Sequence, residues 1–103
     1  MNSYVVNLYP VPNDGSASET LVVNSTPVQF SATIDSKTTC CMITVHDADV
    51  IVTFNGTTPT ITNGHVLIPP FYAFWSKDAI RAVKMVQHKP NQPATVAMTQ
   101  FTY

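Results

Sequence analysis

The sequence predicts an all-β domain, a compact antiparallel β-sandwich or barrel of about eight short strands with one short helix near residues 77–82. Three observations carry this expectation. Val, Thr and Ile together make up 33 of 103 residues, and β-branched side chains are stiff at χ1 and pack well on a pleated surface. Short apolar stretches recur between turn residues, with no long run at helical spacing. Charged residues are only 11% of the chain, under half of the ~25% usual in soluble domains; helical bundles and doubly wound α/β folds need more Glu, Lys, Ala and Leu. A chain of this length holds one hydrophobic core, so residues 1–103 read as a single domain.

The elements follow in order. Val5 to Tyr9 is a first apolar stretch, closed by Pro10 and Pro12, and Asn13-Asp14-Gly15-Ser16 is a loop. Thr20 to Val23 is a brief strand that stops at Asn24-Ser25-Thr26-Pro27. Val28, Phe30, Ala32 and Ile34 alternate with polar residues and read as a half-buried strand. Cys41, Ile43 and Val45 form the next apolar set, and His46-Asp47-Ala48-Asp49 reads as a tight connection into Val50 to Phe54. Those two strands are expected to pair as an antiparallel hairpin. Asn55-Gly56 and Asn63-Gly64 are turn signals, with His65 to Ile68 a strand after the second. Phe71 to Trp75 is another strand. Ser76 is a good N-cap for a helix of one or two turns, with Asp78 well placed in its first turn. Val83 to Gln87 and Thr95 to Thr102 complete the strands, separated by a loop through Pro90 and Pro93.

Chemistry-bearing motifs are sparse. His46, Asp47 and Asp49 are the one tight cluster of metal-ligand types, but a turn uses Asp for its own hydrogen bonds, and His65 and His88 stand apart in the sequence. No metal or cofactor is expected. Cys40 and Cys41 are adjacent and would point to opposite faces of a strand, which disfavours a disulfide between them; a buried inert thiol is the expectation, a nucleophile the alternative. Phosphate-cradling and zinc-protease motifs do not occur, and no catalytic residues are assigned. The net charge of −1 does not suit a nucleic-acid partner, and no stretch approaches the ~20 apolar residues of a membrane span.

Charge distribution is more informative. No Asp, Glu, Lys or Arg occurs from Val50 to Ser76 or from Pro90 to Tyr103, while four of the five basic residues fall between Lys77 and Lys89. Within Phe71–Trp75, Phe71, Ala73 and Trp75 face one way and Tyr72 and Phe74 the other, so both faces are apolar. Either the loop through Pro59 or Pro69 covers the outer face, or that face packs on another subunit. An uncharged sheet with open edges invites association. Phe71, Tyr72, Phe74 and Trp75 are therefore expected as interface anchors. Lys77, Arg81 and Lys84, at i, i+4 and i+7, would form a polar rim on one helix face if the helix reaches Lys84.

The stretches Val50–Thr60, Asn63–Leu67 and Trp75–Val86, with the ending Ala97-Met98-Thr99-Gln100-Phe101, resemble small virion structural proteins of tailed bacteriophages, differing at Asp78 and Ile80, where smaller residues such as Ala are expected. The resemblance covers roughly the C-terminal half. It implies a non-enzymatic β-sandwich that decorates or cements the capsid. The major capsid protein or another virion protein would be its partner, and the protein itself a dimer or trimer. Synthesis would be in the bacterial host cytoplasm, with the working location on the capsid surface. A tail, neck or fibre component is the alternative within the same class. A carbohydrate- or host-surface-binding β module, with Trp75 and Tyr72 as stacking platforms, is the alternative outside it.

Overall fold

The computed structural model describes residues 10–102. The elements run β1 (Val11–Pro12), β2 (Glu19–Val23), β3 (Cys40–His46), β4 (Val50–Thr53), β5 (His65–Leu67), β6 (Phe71–Ser76), α1 (Lys77–Ala82), β7 (Lys84–Gln87) and β8 (Ala94–Thr102). All pairings are antiparallel. One sheet has the order β1-β8-β3-β6 with β2 also on β8, and the other has the order β5-β4-β7. The all-β sandwich with one short helix is thus the observed architecture; the expected strand Val5 to Tyr9 lies outside the described residues.

β1 and β2 share one edge of β8 in succession. Glu19–Val23 pairs with the Ala94–Met98 portion, and Val11–Pro12 pairs with Phe101 and Thr102. Between them Asp14-Gly15 turns, with Gly15 at φ +79°, the conformation for which Gly has no steric penalty. The core forms where the alternating faces of the two sheets meet. Val23, Ile43, Val45, Val96 and Met98 come from the larger sheet and Val50, Val52 and Met85 from the smaller, with Ile80 and Val83 closing from the helical segment. Each such side chain contributes about 1.5–3 kcal/mol on burial. α1 is capped as its sequence predicts, with Ser76 Oγ accepting from the Ala79 N–H at 3.2 Å.

Three expectations are corrected. First, β3 and β4 do not form a hairpin: β3 pairs with β6 and β8, and β4 pairs with β5 and β7. His46-Asp47-Ala48-Asp49 instead carries the chain from one sheet to the other, with Asp47 at φ +76°. Apolar alternation fixes which side of a strand is buried, but not which strand lies beside it.

Second, Val28 to Ile34 is not a strand. The alternation of burial is real, since Val28, Phe30, Ala32 and Ile34 pack against the core, yet only Val28 makes a ladder contact, an isolated bridge to Met85. Side chains satisfy its backbone instead. The Glu19 carboxylate accepts from the N–H groups of Ser31 and Ala32 at 2.8 and 2.9 Å. Gln100 Nε2 donates to the Thr33 carbonyl at 2.9 Å, and Gln100 Oε1 accepts from the Asp35 N–H at 2.8 Å.

Third, the tight turn near Asn63-Gly64 is centred on Ile61-Thr62, where Thr60 and Asn63 exchange both backbone hydrogen bonds. Gly64 (φ +140°) serves a different end: a Cβ there would stand 2.6 Å from Ile51 Cγ2 and 2.9 Å from the Val52 carbonyl oxygen. Its lack of a side chain is what lets β5 close on β4.

Candidate functional site

The outer face of the five-stranded sheet is built by β3, β6 and β8. Cross-strand neighbours share a face, and the register gives three rows. Thr44 lies between Tyr72 and Ala97, Met42 between Phe74 and Thr99, and Cys40 between Ser76 and Phe101. None of these residues carries a formal charge. Tyr72 is 72% exposed and Phe74 45% exposed. Phe74 meets Phe101 edge-to-face across β3, with ring centroids 5.2 Å apart, an arrangement that favours aromatic pairs and fixes their orientation. On the far side Val22, 63% exposed, extends the apolar surface from β2. Among the described residues β6 ends the strand order of this sheet. Its six residues pair with β3 without a bulge and contain neither Pro nor charge, the devices that usually blunt an open edge.

The four aromatics expected as anchors divide by face. Tyr72 and Phe74 look outward, while Phe71 and Trp75 pack against the core. Trp75 is further enclosed by Phe54, whose ring stands edge-on to it with centroids 5.1 Å apart. The loop through Pro59 does not cover Tyr72 or Phe74. Pro59 is itself buried and shares a groove with Ile51 and Val86 of the smaller sheet. Tyr72 and Trp75, an odd number of positions apart, stand on opposite faces of β6.

The basic rim is also rearranged. The helix stops at Ala82, and Lys84 is the first residue of β7, so Lys77, Arg81 and Lys84 do not share a helix face. Arg81 pairs with Asp78 at 3.8 Å, both well exposed, an arrangement of little energetic weight. Lys84 Nζ donates to the Gly56 carbonyl at 3.0 Å, tying the loop after β4 to β7.

The other chemistry-bearing residues are accounted for by local structure. Cys40 and Cys41 are free and buried. Burial first, and the neighbouring Cys40 second, push the Cys41 thiol up to about 11, which keeps it protonated where a nucleophile needs thiolate. His46 Nε2 lies 3.0 Å from Thr44 Oγ1, and Asp47 accepts from Thr95 Oγ1 at 2.9 Å. Asp49 faces His88 Nδ1 at 3.4 Å, a partnership across the sequence that spacing did not reveal. No group of three metal-ligating side chains converges among the described residues, and no helix among them is long and apolar enough to cross a membrane.

Sequence reasoning missed Gln100. It is fully buried within β8 and uses its whole amide. Nε2 donates to the carbonyls of Ala17 (2.6 Å) and Thr33 (2.9 Å), and Oε1 accepts from the Asp35 N–H and from Thr38 Oγ1 (2.6 Å). The available signal was a single amide on the core-facing alternation of Val96, Met98 and Gln100. Comparison of the chain with protein-family models, with curated proteins and with solved structures returns no match.

Proposed function

We propose that this domain is a non-enzymatic structural protein of a bacteriophage virion, a decoration or cement protein that docks on the capsid shell through the outer face of its five-stranded sheet. The observation that carries this reading is the uncharged surface around Tyr72, Phe74 and Phe101. The inner face of this sheet packs in the core, and its outer face presents the exposed aromatics Tyr72 and Phe74 as apolar area for a partner. The likeness of Val50–Phe101 to small phage virion proteins supports the same conclusion.

The action would be mechanical. A standard interface buries about 1,600 Å² in total. Copies seated at the junctions between capsid subunits resist separation together, because each added contact becomes an intramolecular one. The edge of β6, unpaired among the described strands, is where a second copy would extend the sheet, giving a dimer or trimer as the docking unit. The protein would be made in the host cytoplasm and work on the capsid surface.

Co-sedimentation with purified heads lacking the protein tests this. The wild type is expected to pellet with heads at saturable, shell-like stoichiometry, and the double variant Tyr72→Lys/Phe74→Lys to stay in the supernatant while remaining folded. Binding by the double variant equal to wild type, or no binding by either, would overturn the reading. A stoichiometry of six or twelve per particle would move it to the tail or neck.

A further inference from the structure

We propose that the cleft at the end of the sandwich, between Phe54, Asn55, Asn63 and His65, is a subsite for one neutral pyranose ring. The cleft has a volume of about 330 Å³ and is lined by Thr53, Phe54, Asn55, Asn63, Gly64 and His65. That is the small end of the ~300–1,000 Å³ range of ligand sites, room for a single ring.

Its charge selects a neutral guest. None of the lining residues is Asp, Glu, Lys or Arg, and none occurs anywhere from Val50 to Ser76. The amine of Lys84, which reaches this loop, is held by the Gly56 carbonyl.

Its two asparagine amides are held in complementary orientations. Asn55 Oδ1 accepts from the Thr57 hydroxyl at 2.7 Å and the Thr57 N–H at 3.3 Å. This fixes the Asn55 amide and leaves its NH₂ as a donor, without a protein acceptor among the described residues. Asn63 Nδ2 donates to the same hydroxyl at 3.3 Å, which leaves Asn63 Oδ1 as an acceptor. The exposed His65 pairs with Val52, on the core-facing side of the smaller sheet, and a neutral imidazole adds one donor and one acceptor. Sugar hydroxyls are donor and acceptor at once, and adjacent ones need both kinds of group close together.

The apolar side of a pyranose needs an aromatic surface. Phe54 is 37% exposed, and its edge-to-face packing on Trp75, 81° between planes, holds the ring in place. Groups already fixed in position lose little freedom on binding, which is where a small ligand gains its affinity. This site is distinct from the docking face around Tyr72 and Phe74.

Titration of ¹⁵N-labelled protein with methyl α-D-glucopyranoside, methyl α-D-mannopyranoside, methyl β-D-galactopyranoside and N-acetylglucosamine tests the site. At least one sugar is expected to shift the amide signals of Asn55, Gly64 and His65 saturably, with Kd on the order of millimolar, as suits a ligand of so few atoms. His65→Ala, which removes an exposed side chain, and Asn55→Ala are each expected to weaken binding about tenfold, one step of 1.4 kcal/mol. Tyr72→Ala is expected to leave it unchanged. Absence of shifts at those amides with all four sugars at about 50 mM, well above such a Kd, would overturn the proposal. So would shifts that persist undiminished in both His65→Ala and Asn55→Ala.

Discussion

Two long segments of this domain lack regular strand structure and are held in opposite ways. Residues 29–39 are fixed from outside by the carboxylate of Glu19 and the amide of Gln100, partners 12 to 67 positions away in sequence. Residues 54–64 are fixed mainly from inside. Thr53 Oγ1 donates to the Thr57 carbonyl, Asn55 and Asn63 both hold the Thr57 hydroxyl, and no pair in this set is more than six positions apart. Lys84 adds one tie from β7. The first segment is therefore part of the fold's closure, since releasing it opens the core beneath Phe30 and Ile34. The second is a self-supporting loop, whose surface residues can change with little cost to the rest.

The strongest way to break this contrast is Gln100→Met, which keeps the volume and removes the amide. The Asp35 N–H and the carbonyls of Ala17 and Thr33 would lose their partner together, and the Thr38 hydroxyl, which still accepts from Asn13, would lose its acceptor. Unsatisfied buried groups cost about 1–3 kcal/mol each, so with some of them rehydrated we expect a loss of about 3 kcal/mol. Thermal unfolding followed by circular dichroism should show Tm lower by about 15 °C. A fall under 4 °C would mean that residues 29–39 hold themselves.

Glu19→Ala should cost less, about 1–2 kcal/mol, because the Ser31 N–H it releases can turn to water. Its signature is local: hydrogen exchange at Ser31 and Ala32 should accelerate well ahead of that in β3 and β8. For the self-supporting loop, Thr53→Val should cost about 1 kcal/mol in urea unfolding, with amide shift changes confined to residues 53–65. Changes reaching β3 or β8 would show that the loop is not independent.

The smallest effect concerns pH. The Lys37 N–H and then the Asn13 amide hold the Asp35 carboxyl below its ordinary value of 3.8. A carboxyl lowered by folding adds stability that is fully present above its unfolded value and is lost as pH falls through the folded one. A carbon-detected titration should place the Asp35 midpoint below 3.8, and Asn13→Ala should move it upward. An unmoved midpoint would remove Asn13 from the tether.

The same contrast explains what was legible in the sequence. Some local signals, such as the turn placed at Asn63-Gly64, do not agree with the structure, and others do. Ser76 caps α1, the opposed faces of Phe71–Trp75 are real, and the all-β class follows from β-branched content. Long-range choices were not written in any short window. Val28–Ile34 has strand alternation, but its backbone partners are a glutamate and a glutamine far along the chain. Likewise nothing within Cys40–Phe54 states that β3 and β4 belong to different sheets. Of the expected anchors, Tyr72 and Phe74 reach the outer face, whereas Phe71 and Trp75 face inward, because a strand at the edge of a sandwich still presents one side to the core. Phe54, outside the anchor set, became informative only once its contact with Trp75 was known.

The shared edge of β8 also dictates an order of assembly. Strands β1, β2 and β3 all pair with β8; β3 can pair earlier with β6, but among the described strands β1 and β2 have no partner other than β8 and cannot join the sheet until Ala94–Thr102 has been made. The five-stranded sheet therefore closes only once β8 is in place, and closure of such distant pairings belongs to the millisecond-to-second regime of β proteins. Until then β1 and β2 wait unpaired. A chain stopped before Ala94 should lose three strand pairings together with the core side chains Ala94, Val96 and Met98, and not just one strand.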